Sequence, residues 1–86
     1  MSDLNSIKSL SPEDAIEILN KIIAENPDNE EALTLRSQSL WKVNRRREAI
    51  NDCLVAIKLN PESKAKVLLD YANSILDFYN KDLLNP

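Results

Sequence analysis

Cys53 is the one cysteine in a chain of 86 residues that has no histidine and no glycine, so the reactive chemistry available to it is narrow. A single thiol makes no internal disulfide and no thiolate metal site. The missing glycines remove every phosphate-cradling loop motif, and the missing histidines remove the commonest general base and metal ligand. Acids, hydroxyls and lysines are left, and a catalytic role for them requires two carboxylates buried together in a cleft with raised pKa. No spacing in the chain suggests such a pair. Cys53 falls between Ile50 and Ile57 on an apolar helical arc, where burial is expected; a reactive thiol needs a neighbouring cation, and that face carries none. Two other groups stand out. Lys42 and Arg45-Arg46-Arg47 concentrate positive charge, either as a solvated turn with Arg45 and Arg47 near acids such as Glu48, or as a steering site for an acidic segment or phosphate. Trp41 falls at the edge of its helix's apolar arc, where it either covers a seam between helices or serves as an interface anchor.

The elements that must position these residues are helices. Ser11-Pro12-Glu13-Asp14 reads as a helix start, with a hydroxyl N-cap, proline at the first helical position and acids that complement the dipole. That helix runs to about Glu25, with Ala15, Ile16, Ile18, Leu19, Ile22 and Ile23 on one arc of about 160°. A turn at Asn26-Pro27-Asp28-Asn29 follows, because proline disfavours a helical residue before it. Further helices are predicted from about Glu30 to Val43, from Arg46 to about Leu59, and from the second breaker, Asn60-Pro61-Glu62-Ser63, to about Tyr79. Each is followed by an asparagine, at Asn26, Asn44, Asn60 and Asn80, which is expected to serve as the C-cap in place of glycine. Short connections force consecutive helices to lie antiparallel. The order is a flexible N-terminal segment at 1–10, in which Ile7 and Leu10 can staple onto the first helix, a helical domain at 11–80 and a tail at 81–86.

A unit also recurs. Ala15, Ile16, Ile23, Asn26 and Pro27 are answered by Ala49, Ile50, Ile57, Asn60 and Pro61 in one register, a period of about 34 residues. Together with small Ser37, large Leu40, Ala49-Ile50, Cys53 and Ala56, this pattern resembles the tetratricopeptide repeat family, whose unit is a helix A, a turn and a helix B. The resemblance covers about residues 12 to 80. It implies an all-α fold, a right-handed stack of antiparallel helix hairpins in the order B, A, B, A, about two repeats long where about three are usual. Asn44 stands where the family has a turn glycine and Arg46 where it has an aromatic. Ser37, Ala49 and Ala56 have a physical reason of their own, since helix backbones approaching to about 8 to 10 Å leave no room for larger side chains.

The resemblance further implies a groove lined by the A helices that binds a protein or peptide. Carried onto this chain, its residues are Glu31, Thr34, Gln38 and Trp41, and on the last helix Lys66, Leu69, Asn73 and Leu76. The lysine, asparagine and arginine clamp with which some relatives hold a terminal carboxylate is largely missing, because Thr34, Leu35 and Asp70 occupy its places and leave Lys66 and Asn73 as isolated matches. No catalysis, cofactor or metal is expected. The last helix spreads Val67, Leu68, Leu69, Tyr71, Ala72, Ile75, Leu76, Phe78 and Tyr79 over about 200°, more than one seam requires, and with Leu83 and Leu84 this favours a homodimer as the alternative to an external ligand. A net charge of -3 with interspersed signs argues against nucleic acid. No apolar run has the length of a membrane span, and the start lacks a signal pattern. The expectation is therefore a soluble protein of the cytoplasm.

Overall fold

The structure is a computed structural model that describes residues 4–84, without the side chains of Asn5 and of residues 75–84. Every regular element is helical: α1 (Leu4–Ile7), α2 (Pro12–Glu25), α3 (Glu30–Lys42), α4 (Arg46–Leu59) and α5 (Ala65–Leu84). The least extent of the molecule is 18 Å, the thickness of two packed helices of about 10 Å each.

Local chemistry sets most of the boundaries. The Ser11 hydroxyl accepts a hydrogen bond from the Asp14 N–H at 3.3 Å with Pro12 opening α2, and the Asn29 side chain accepts from the Ala32 N–H at 3.0 Å to open α3. The two Asn-Pro turns are built alike. Asn26 Oδ1 accepts from the Asp28 N–H and Asn60 Oδ1 from the Glu62 N–H, while each asparagine carbonyl accepts from the N–H three residues on.

The asparagines divide into three cases. Asn44 has φ 68°. Its N–H donates to the Trp41 carbonyl while the Arg45 N–H donates to the Leu40 carbonyl, the Schellman closure that a left-handed residue permits. Asn44 therefore stands one residue beyond the C-cap, which is Val43, whereas Asn26 and Asn60 are themselves C-caps, with φ −142° and −144°, because the following proline holds them in extended backbone. Asn80 caps nothing, since α5 continues through it to Leu84. The expected stop there is corrected: no proline follows Asn80, and asparagine alone does not oblige a helix to end.

The helices zigzag. Ile16 of α2 packs with Leu40 of α3 while Ile23 meets Leu33, and Leu40 meets Ala49 of α4 while Leu33 meets Cys53 and Ala56. Both pairs are therefore antiparallel. Ser37, Ala49 and Ala56 are fully buried, as their small size implies. Ala56 and Ile57 receive Ala65, Leu68 and Leu69 of α5, which brings α5 alongside α4 and, through Tyr71 and Trp41, to the far end of α3. Ahead of α2, the single turn of α1 buries Ile7 against Ala15, Leu19, Ala32 and Leu35. Leu10 remains exposed.

Candidate functional site

Two adjoining cavities and several polar side chains coincide on the outer face of α3, and another cavity of about 210 Å³ lies over Asn20, Arg36, Glu48 and Asp52. A cleft of about 330 Å³ lies over its first turns, lined by Glu30, Glu31, Thr34, Leu35 and Gln38 on α3, by Lys8 on one bank, and by Asn60, Glu62, Ser63 and Lys64 on the other. A second cavity of about 230 Å³ shares Lys8, Leu35 and Gln38 with it and continues along α3 past Ser39 to Lys42. The two make one groove. It exists because α3 sits between the N-terminal turn and the α4–α5 connection, both of which stand above its exposed stripe.

Three of the four α3 residues expected in a ligand groove, Glu31, Thr34 and Gln38, line this cleft. Glu31 and Gln38 are exposed, whereas Thr34 is buried and its hydroxyl is engaged with the Glu30 carbonyl, the Glu30 carboxylate and Ser63. Trp41, the fourth, is half-buried. It meets Tyr71 edge-on with ring centres 6.0 Å apart, so it does cover the seam between α3 and α5, and the Arg46 guanidinium lies 4.7 Å from its ring centre. On α5, Lys66 and Asn73 are exposed but lie outside the lining of both cavities. Leu69 is partly buried against Leu33, Cys53 and Ala56, and Leu76 lies outside the described side chains. Contact with α3 is made by Ser63, just ahead of α5, through Thr34 and Glu30, by Ala65, Leu68 and Leu69 in the cluster around Leu33, and by Tyr71 through Trp41. Val67 and Tyr71, both expected on the apolar arc of this helix, are exposed and line neither cavity.

The floor of the cleft is held by a polar knot. Ser63 donates to the Glu30 carboxylate and accepts from the Ala65 N–H at 3.1 Å, so one hydroxyl both caps the start of α5 and ties it to the start of α3. Thr34 donates to Glu30 at 3.0 Å and Asn60 Nδ2 approaches it at 3.5 Å. The Ser63 hydrogen bond is the main reason the Glu30 carboxyl titrates below its ordinary 4.5; burial opposes it, and Thr34, Asn60 and the Lys64 charge add to it. A carboxylate lowered in this way is a poor proton donor or acceptor near neutrality. Its contribution is to stability, and the sign follows: it is present above the unfolded value near 4.5 and is lost as the pH falls through the lower folded value. Urea midpoints measured from pH 7 to pH 3 are expected to show about 1 kcal/mol of acid destabilisation in the wild type that is missing in Glu30→Gln. Equal pH profiles for the two proteins would remove the knot from the account.

A second polar group joins the three middle helices. Arg36 Nε and Nη2 bind Asp52 at 2.7 and 2.8 Å, and Nη1 binds Asn20 Oδ1 at 2.9 Å. Asp52 is buried and the Arg36 side chain is 23% exposed. Burial, in turn, pushes the Cys53 thiol above its ordinary value, the opposite of activation. Of the cationic run, Arg45 pairs with Glu48 at 2.6 Å, as its position in the turn implies, while Arg47 is exposed.

Among the described residues no helix is long and apolar enough to cross a membrane. Compared with protein-family models, curated proteins and solved structures, the chain matches none.

Proposed function

We propose that this chain is a short tetratricopeptide-like module that binds a peptide or protein segment along the outer face of α3 and catalyses nothing. The observation that carries the reading is the groove itself: a cleft of about 330 Å³, adjoined by a second, over Glu31, Thr34 and Gln38, three of the four α3 residues that the family resemblance assigns to ligands. The banks of the first cavity are polar, and the second adds an apolar bank at Ile7, Leu10, Pro12 and Ala15. Zigzag packing with small residues at the helix contacts supports the same family reading.

Peptides selected on the immobilised chain are expected to bind with micromolar affinity by calorimetry, and to bind at least tenfold more weakly to Gln38→Arg and to Glu31→Lys. Both changes sit on exposed side chains, so circular dichroism should remain that of the wild type. Selected peptides that bind both variants as well as the parent chain would end the groove reading.

The rival reading is a homodimeric assembly piece, favoured by the 74% exposure of Val67 and 55% exposure of Tyr71 on α5, which leave an apolar flank open. Sedimentation separates the two: a stable dimer whose Trp41 emission is already blue-shifted and ignores added peptide supports assembly in place of ligand binding.

A further inference from the structure

Beyond the two cavities, at the C-terminal end of α3, the surface changes character: Trp41, Arg46, Val67 and Tyr71 line neither of them. Arg46 stacks 4.7 Å from the centre of Trp41, Trp41 meets Tyr71 edge-on at an interplanar angle of 67°, and Val67 lies one turn before Tyr71 on the same flank of α5, largely exposed. An apolar strip with an aromatic floor thus has the Arg46 guanidinium at its edge, and Lys42 and Arg47 are the sequence neighbours of Trp41 and Arg46. Arg45 is consumed by Glu48, but among the described residues Lys42, Arg46 and Arg47 form no ion pair, and all three are exposed. A guanidinium held over a ring still has N–H groups for an oxygen acceptor.

We propose that this end docks an acidic segment of another protein, with an aromatic or leucine side chain against Trp41, Tyr71 and Val67 and adjacent carboxylates on Arg46, Arg47 and Lys42. The inference deepens the peptide-binding reading and rests on it. Charge complementarity selects the occupant. In a chain of net charge -3 these cations are a local exception, so a short acidic segment is attracted here while a long polyanion meets repulsion over the rest of the surface. Three cations also neutralise too few phosphates for a nucleic-acid site, which gains its affinity from about 6 to 10 such contacts. The apolar strip supplies what salt bridges at an exposed rim do not, a desolvated anchor.

The test uses the whole chain and three blocked synthetic hexapeptides: one of glutamates with a central phenylalanine, one with lysines replacing the glutamates, and one with alanine replacing the phenylalanine. Trp41, the only tryptophan, reports binding by fluorescence, with calorimetry as the second readout. The glutamate–phenylalanine peptide is expected to bind in the range of tens of micromolar, the other two at least tenfold more weakly, and raising sodium chloride from 50 to 500 mM to cost a further tenfold or more. The double change Arg46→Glu with Arg47→Glu should lose at least tenfold. Lys42→Glu with Arg47→Glu should also lose several-fold while leaving Arg46 on the indole, so the result does not depend on the stack. Equal binding of the lysine peptide, charge-reversed variants that bind as the wild type does, or preference for phosphatidylserine vesicles over the acidic peptide each overturns the proposal. A selected peptide that responds to Gln38→Arg but not to charge reversal overturns it while leaving the groove reading standing, and the absence of any response to either overturns both.

Discussion

Asp52→Ala is expected to lower the unfolding free energy by about 2–3 kcal/mol and the melting temperature by about 10–20 °C. The carboxylate is buried and holds Arg36 through two hydrogen bonds, so its removal leaves a guanidinium facing only Asn20 Oδ1. The cost of an abandoned charge exceeds the net worth of the pair. Arg36 is 23% exposed and recovers some hydration, which keeps the figure below that of a fully buried pair. It follows that replacing both partners, Arg36→Met with Asp52→Leu, should restore at least half of the loss, and a double-mutant cycle in urea measures this. A loss below about 1 kcal/mol for Asp52→Ala would reduce the pair to an ordinary surface bridge.

Ala56→Leu should cost about 3 kcal/mol or more, with the damage concentrated at one seam. Ala56 has no exposed surface and packs with Leu33 of α3, Cys53 of its own helix and Ala65 of α5, so a larger side chain has no direction in which to move. Of its neighbours, α5 is held by the fewest packed residues, and it should lift away first. Amide exchange would then quicken along α5 while α2, α3 and α4 keep their protection, and Trp41 emission would change as Tyr71 withdraws. Uniform acceleration across all helices would show instead that the seam is not separable from the rest.

Much of the architecture was written in local chemistry. Ser11 and Pro12 open a helix wherever they stand before an amphipathic run, Asn26-Pro27 and Asn60-Pro61 stop one because the proline ring constrains the residue before it, and Ser37, Ala49 and Ala56 are small where helices touch. Cys53 is buried where its arc said it would be. What escaped the sequence depends on tertiary partners. Ile7 packs with Ala15 and Leu19 of α2 as the expected staple requires, but its burial against Ala32 and Leu35 is assembled only by the fold. Arg36 and Asp52 read as ordinary surface charges one at a time. Their placement at equal distances on either side of Asn44 marks them as partners once the hairpin is closed. Of the cleft lining, Glu31 and Gln38 came from the family resemblance alone, while Lys8 and Lys64 come from segments outside the long helices, which no helical periodicity points to. Asn80 misled because a residue that tolerates a helix end does not compel one.

The zigzag order of the helices also governs how the chain reaches this state. Each long helix packs chiefly on its neighbour in sequence, so every docking event closes only a short loop and little chain entropy is spent before contacts repay it. Folding is accordingly placed in the microsecond to millisecond range. The α3–α4 hairpin, locked by Arg36 and Asp52, is the natural nucleus, and α2 and α5 are free to join it in either order.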